Sequence, residues 1–248
     1  MALFGRSDTP KAPGAGSIRD VIATRAVSIA YQPIVDVHTG KTFAYEALAR
    51  SKSPDFKGPL ELLAAAIEDK AMGEFGHLLR QLTIEGCPGR PLFVNVNPNE
   101  FDEGWLVRTD DPIFFHDDQV YLEITESVPL SHFSFCSSVL QEIRGKGVRL
   151  VIDDFGAGYS NLRYIAELVP DIVKLDMDLV HGISKNERTR RLVRSIVTLC
   201  NDMGSRVVAE GIEERDDFLA VRDAGVHFGQ GYLLAKPAFP PPAVTFPT

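Results

Sequence analysis

No run in this sequence is apolar for long enough to cross a membrane. The N-terminus offers only Met1-Ala2-Leu3-Phe4 before Gly5 and Arg6, too little for a signal peptide. A cytoplasmic protein is expected. Cysteine is scarce and odd in number: Cys87, Cys136 and Cys200 are far apart and match no zinc spacing, so they read as reduced, buried thiols. Positive charge is also in deficit, with 26 Lys and Arg against 34 Asp and Glu and a formal net charge of -8. Such a surface repels a phosphate backbone at long range, which argues against binding to DNA or an RNA duplex. An anionic ligand then needs a metal or a few local Arg and Lys residues that reverse the field at one site.

What remains is an ordinary globular composition, 44% hydrophobic and 24% charged over 248 residues. Residues 1 to 17 hold Gly5, Pro10, Pro13, Gly14 and Gly16 and read as a flexible leader. Residues 241 to 248 form a proline-rich tail. Between them lies one domain, about 18 to 240, without a low-complexity linker or a solenoid repeat.

Inside that domain β-rich runs alternate with stretches of helical period. The runs are Ala30 to Val37, Phe43 to Ala49, Leu92 to Val96, Val120 to Thr125, Arg149 to Ile152, Ile172 to Leu175, Arg206 to Ala209 and Phe228 to Leu234. Helices are expected over Leu60 to Gln81, Phe133 to Lys146, Arg188 to Met203 and Arg215 to Ala224, the last closed by Gly225. The alternation predicts an α/β fold, a (β/α)8 barrel, with an open doubly wound sheet as the alternative. The first two runs break the pattern. Asp36 to Lys41 is too short for a crossover helix, so this strand pair is expected to be antiparallel, giving a modified TIM-like barrel.

Polar residues that a core should avoid fall in or just after these runs: Glu46, Asn95, Glu123, Asp153 with Asp154, Lys174 with Asp176, and Glu210. Each alone has an ordinary explanation, such as an edge charge, a turn residue, a helix cap or a salt bridge. Their recurrence at strand ends does not, because a barrel gathers those ends on one face and a buried carboxylate is costly unless paired or bound to metal. Carboxylates with one Asn and neither His nor Cys make a hard oxygen ligand set suited to Mg²⁺ or Mn²⁺. The adjacent Asp153 and Asp154 are placed to bridge two ions, an arrangement suited to phosphodiester cleavage. Glu210 or Lys174 would assist proton transfer or orient the nucleophile.

The run Gln32-Pro33-Ile34-Val35-Asp36, then Glu46-Ala47-Leu48-Ala49-Arg50, Asn95, Glu123-Ile124-Thr125-Glu126, Asp153-Asp154-Phe155-Gly156-Ala157-Gly158-Tyr159-Ser160, Lys174-Leu175-Asp176, Ala209-Glu210-Gly211-Ile212-Glu213 and Gln230-Gly231-Tyr232 resembles the EAL-domain family of cyclic di-GMP phosphodiesterases. The resemblance spans about residues 18 to 240 in order and approximate spacing. It implies a modified TIM barrel and cleavage of cyclic di-GMP to linear 5′-pGpG with two Mg²⁺ or Mn²⁺ ions. By the same resemblance, Glu46, Asn95, Glu123 and Asp153 hold one ion, and Asp153 and Asp154 the second. Glu210 and Lys174 act near the metal-bound water. Gln32, Arg50, Asp176 and Gln230 contact substrate. Glu126, Phe155, Gly156, Gly158, Tyr159, Ser160 and Glu213 belong to the elements that couple the metal site to a homodimer. Asn97 and Ser51 depart from the family pattern, which usually has Ser at the first position and an aromatic at the second; neither is a metal ligand in this reading. The alternative reading is an inactive cyclic di-GMP receptor that signals through a protein partner. Within these 248 residues there is no sensory, receiver or cyclase domain, so regulation is expected from a separate protein, from expression level or from the leader.

Other motifs are weaker. His116-Asp117 resembles half of a metal dyad but reads as a surface turn. Gly156-Ala157-Gly158 lacks the rest of a dinucleotide fingerprint. Arg188, Arg190, Arg191 and Arg194 read as the solvated face of a helix whose apolar side is Leu192, Val193, Ile196 and Leu199.

Overall fold

The computed structural model describes residues 16–102, 104–125, 130–157 and 162–247, without the side chains of 102, 107, 130–137 and 164. Eight strands close into a barrel in chain order: β1 Val27–Asp36, β2 Thr42–Ser51, β3 Leu92–Asn95, β4 Val120–Thr125, β5 Arg149–Phe155, β6 Ile172–Leu175, β7 Arg206–Ala209 and β8 Phe228–Gly229. β1 runs antiparallel to both neighbours, β2 and β8, and every other pairing is parallel. The short turn at 37–41 dictates the first of these orientations. Asp36 Oδ1 accepts from the His38 and Thr39 amides at 3.0 and 2.8 Å and fixes the reversal.

The helices are α1 Ile18–Thr24, α2 Pro59–Glu68, α3 Met72–Gly86, α4 Asn99–Asp102, α5 Leu130–Gly145, α6 Arg163–Leu168, α7 Met177–Val180, α8 Glu187–Asp202 and α9 Arg215–Asp223. The single helix expected over Leu60 to Gln81 is two. Lys70 adopts a left-handed conformation (φ 51°) and the Ala71 amide bonds back to Ala66 O at 2.8 Å, ending α2 before α3 begins. The run Phe228 to Leu234 also pairs for only two residues, because the chain turns at Gly231. A Cβ there would stand 2.1 Å from the Ile212 carbonyl oxygen. On α8, Val193, Ile196, Val197 and Cys200 are buried, while Leu192 is 50% exposed and sits outside the apolar face assigned to it from the sequence. Arg188, Arg191 and Arg194 are exposed.

Side chains two apart on a strand share a face, and this period sorts the barrel interior into layers. Ile34, Ala44, Phe93, Tyr121, Val151, Ile172, Val208 and Phe228 pack together as one apolar layer, one residue per strand. Two positions further toward the C-terminal ends of the parallel strands stand Glu46, Asn95, Glu123, Asp153, Lys174, Glu210 and Gln230. In β1, which runs the other way, Gln32 precedes Ile34. Each strand thus carries one apolar and one polar inward position, and the polar ones meet at the same end.

The larger core lies between barrel and helices, and a smaller one joins α1 to α2 and α3. Cys87 and Cys200 are buried free thiols; the side chain of Cys136 lies outside the described residues. The proline-rich end forms neither helix nor strand, yet it is fastened. Ala238 exchanges two backbone hydrogen bonds with Tyr31, the Thr245 amide donates to Leu234 O at 2.8 Å, and Phe246 meets Phe218 edge to face. Of the leader, residues 1 to 15 lie outside the described residues, and its last residue, Ser17, caps α1 by accepting from the Asp20 amide.

Candidate active site

At the polar end one ammonium group faces four carboxylates. Lys174, fully buried, places Nζ 2.6 Å from Glu123 Oε1, 2.6 Å from Glu210 Oε1, 2.9 Å from Asp153 Oδ1 and 3.7 Å from Glu46 Oε1. Asn95 donates from Nδ2 to Glu123 Oε2 at 2.9 Å and to Glu46 Oε1 at 3.3 Å, tying two of these acids together. One positive charge does not balance four carboxylates in a buried group. Burial, followed by the acidic neighbours, pushes the Glu123 carboxyl well above its ordinary value even though Lys174 pulls it down. Burial also raises Glu210, while Lys174 is raised by Asp153, Glu123, Glu210 and Glu46 against the effect of its own burial, so it stays an ammonium.

Consecutive residues of a regular strand point to opposite faces, so Asp153 and Asp154 could not both serve one site without a defect. β5 supplies it: the register with β6 shifts between Ile152 and Phe155, and Asp154 takes a left-handed φ of 55°. The bulge brings carboxylate oxygens of Asp153, Asp154 and Glu210 within 4.8 Å of one another. Burial, then Asp153, pushes the Asp154 carboxyl up to about 6. Behind the bulge Phe155 is buried, and Gly156 (φ 109°) abuts Leu179, whose Cδ1 leaves 2.4 Å for a Cβ.

Gln230 and Gln32 adjoin the acids, and their amides are already engaged. Gln230 Nε2 donates to Glu46 Oε2 and, at 3.0 Å, to Gln32 Oε1; Gln32 Nε2 donates to Ala235 O at 3.0 Å. Gln230 is 3% exposed. A cavity of about 310 Å³ opens over this group, lined by Gln32, Glu46, Asp154, Asp176, Glu210 and Glu213 among others. Asp176 also caps α7, accepting from the Asp178 amide at 2.8 Å. Arg50 stands apart, exposed, with Nη1 donating to Ala49 O at 2.9 Å, on the wall of a second cavity of about 450 Å³ that shares Glu46 and Asn95 with the site. Glu126, Gly158, Tyr159 and Ser160 lie outside the described residues.

Three supports were not read from the sequence. Arg80, Glu100 and Asp111 form a buried ionic cluster: Arg80 pairs with Glu100 through Nη1 and with Asp111 Oδ2 through Nη2 at 2.8 Å. Glu100 Oε1 also accepts from the Asn97 amide at 3.0 Å, which anchors the loop leaving Asn95. Asn97 with Glu100 three positions on has capping-box spacing, a signal present in the sequence; the buried Arg80 that shares Glu100 had none. The third support is on the other side, where His181 Nε2 meets Gly211 O at 2.8 Å and steadies the segment after Glu210. His116, by contrast, contacts the Arg90 carbonyl at 2.7 Å in the connection before β4, away from the acids.

The sequence profile of the EAL domain matches residues 15–237. The chain belongs to the EAL-domain family. A cyclic di-GMP phosphodiesterase of Pseudomonas aeruginosa, PA2567, is 32% identical over 86% of this chain and 38% of its own length. PdeR, a cyclic di-GMP phosphodiesterase of Escherichia coli, is 30% identical over 93% of this chain and 36% of its own. The chain therefore spans little more than a third of these curated relatives. A manganese and cyclic di-GMP complex of Klebsiella pneumoniae BlrP1 superimposes with a TM-score of 0.70 at 31% identity, covering 86% of this chain and 56% of that one. An EAL-domain protein of Listeria monocytogenes does so with a TM-score of 0.75 at 27% identity, covering 92% and 95%. No helix among the described residues is long and apolar enough to cross a membrane.

Proposed function

We propose that this EAL domain hydrolyses cyclic di-GMP to linear 5′-pGpG with two bound Mg²⁺ or Mn²⁺ ions. The observation that carries the reading is the charge deficit: Lys174 alone opposes Glu46, Glu123, Asp153 and Glu210, with Asp154 beside them. Divalent cations repair that deficit. The donor set fits them, being all oxygen, and the buried Glu123 Oε1 and Asp153 Oδ1 have Lys174 Nζ as their only cationic neighbour among the described residues. Glu46, Asn95, Glu123 and Asp153 would hold one ion, and Asp153 and Asp154 the other. Such ions supply an activated water and Lewis-acid stabilisation of the leaving oxygen.

The chain's own groups do the rest. Lys174 Nζ, held protonated, orients the acids and donates toward developing negative charge. Glu210, with its raised carboxyl at the cavity wall, holds or accepts a proton at the reacting centre. Gln230 fixes the Glu46 carboxylate, and Arg50 offers a guanidinium to a phosphate from the adjoining cavity. Asp176, also on the cavity wall, faces the same substrate.

The test is a time course with metal-loaded protein and cyclic di-GMP, with nucleotides separated by chromatography and Ca²⁺ as the inhibitory control. The expected result is 5′-pGpG that depends on Mg²⁺ or Mn²⁺ and is lost in Glu46→Ala with the fold intact. Binding without turnover in either metal would instead make the protein a receptor that acts through a partner. Light scattering checks the accompanying proposal that the working species is a homodimer, and cell fractionation the proposal that it is cytoplasmic.

A further inference from the structure

The opposite end of the barrel carries a third inward-facing layer, and its chemistry is reversed. Two positions before Tyr121, Val151 and Val208 stand Gln119, Arg149 and Arg206. These three rim a cavity of about 290 Å³, whose walls also include Tyr121, Asp171 and Gly204. Arg149 Nη1 pairs with Asp171 Oδ1 at 3.1 Å, and Asp171 Oδ2 accepts from the Leu150 amide at 2.9 Å, so both oxygens of that acid are engaged. Gln119 is engaged too, donating to Val120 O and Gly147 O at 2.9 and 2.8 Å.

Arg206 has no carboxylate partner among the described residues; its side-chain hydrogen bond is to Tyr121. Among the described residues no carboxylate lies within ion-pair distance of its guanidinium, in a chain with 34 acidic residues. It rests instead on an aromatic platform, 4.8 Å from the Phe43 ring centroid and 4.9 Å from that of Phe228, two rings stacked 4.1 Å apart. The Tyr121 ring stands beside Phe43, centroid to centroid 5.5 Å. Resting on the rings restrains the guanidinium, so engaging a ligand costs it less entropy than an unrestrained arginine would lose. Once Arg149 and Asp171 cancel, the cavity keeps one positive charge in excess.

We propose that this cavity is a second ligand site, at the far end of the barrel from the acids, that takes a phosphate group through Arg206 and Arg149 with the Tyr121 hydroxyl at its floor. The phosphate can be free or the monoester of a mononucleotide; the chemistry of recognition is the same. Planar guanidinium groups match two phosphate oxygens, and Asp171 cannot compete while Arg149 and the Leu150 amide hold it.

The site is tested without turnover, by nuclear magnetic resonance of the full chain labelled with nitrogen-15. Inorganic phosphate, GMP and, as control, sodium chloride at matched ionic strength are titrated in turn. The expected result is a saturable shift of the Arg149 and Arg206 side-chain Nε–H signals and the Gly204 amide with phosphate and GMP but not chloride. Arg206→Gln should weaken binding at least about tenfold, the loss of a charged hydrogen-bond donor. Arg149→Gln, which also frees the Asp171 carboxylate to repel the ligand, should abolish it. Tighter binding of GMP than of phosphate would assign the site to a nucleotide; equal binding would assign it to the free ion. No saturable shift in the wild-type protein overturns the proposal. So does an Arg206→Gln variant that melts earlier yet keeps the phosphate shift, which would leave Arg206 only a cover for the aromatic stack.

Discussion

The upper and lower halves of this barrel are made from the same strands and obey opposite rules. Val208 and Glu210 are two residues apart and face the same interior; one is surrounded by Phe93, Tyr121, Ile172 and Phe228, the other by Lys174 and Asp153. The lower layer gains stability by excluding water from apolar surface. The upper layer gathers like charges, which no gain from packing favours. The stable half holds the costly half in place, and the apolar strand positions are the foundation on which a crowded acid ring can be set.

That contrast can be broken from either side. Phe93→Ala, in the lower layer against Tyr121 at 4.6 Å, should cost about 3–5 kcal/mol of unfolding free energy, read by urea denaturation. Gln230→Ala removes the donor that fixes Glu46. It should weaken Mn²⁺ binding by about 10- to 100-fold in calorimetry while the melting temperature moves little. If Gln230 served chiefly as a substrate contact, KM would rise and metal affinity would stay. Glu123→Gln removes a carboxyl whose ionised form burial penalises, so it should abolish turnover yet stabilise the metal-free protein at neutral pH by about 1 kcal/mol. The same sign in both halves would contradict the contrast.

A smaller effect lies in the scaffold beneath α7 and α9. Asp217 accepts from the Gly182 and Ser184 amides at 2.9 Å each; burial pushes its carboxyl up, but these bonds outweigh it and hold the group below its ordinary 3.8. The folded protein therefore binds fewer protons than the unfolded chain in that range. The contribution is complete above the unfolded value and is lost as pH falls through the lower, folded one. Asp217→Asn should flatten the acid limb of the stability profile by under about 1 kcal/mol, measured by thermal melts from neutral to acid pH.

Much of this was legible in the sequence because a strand has a period of two. Phe93-Val94-Asn95, Tyr121-Leu122-Glu123 and Ile172-Val173-Lys174 repeat one apolar and one polar inward position, and the alternation of strands with helices implies the closure that collects the polar ones. The short Asp36–Lys41 segment likewise announces the antiparallel pair. The split of α2 from α3 was not legible, since Asp69-Lys70-Ala71 contains no proline or glycine and the left-handed turn is set by packing. The brevity of β8 was equally hidden; the chain turns at Gly231 against the backbone of Ile212, distant in sequence, where no Cβ fits.

The fold class, the order of the acids and their family follow from the chain alone, because periodicity, turn length and motif spacing are local properties. How those acids share a single lysine, that Gln230 is bound to Glu46, that a bulge turns Asp154 toward Asp153 and Glu210, and that Arg206 at the other end meets no carboxylate among the described residues emerge in three dimensions. Each of these depends on distances between residues far apart in the chain, and charge balance is set by what meets in space.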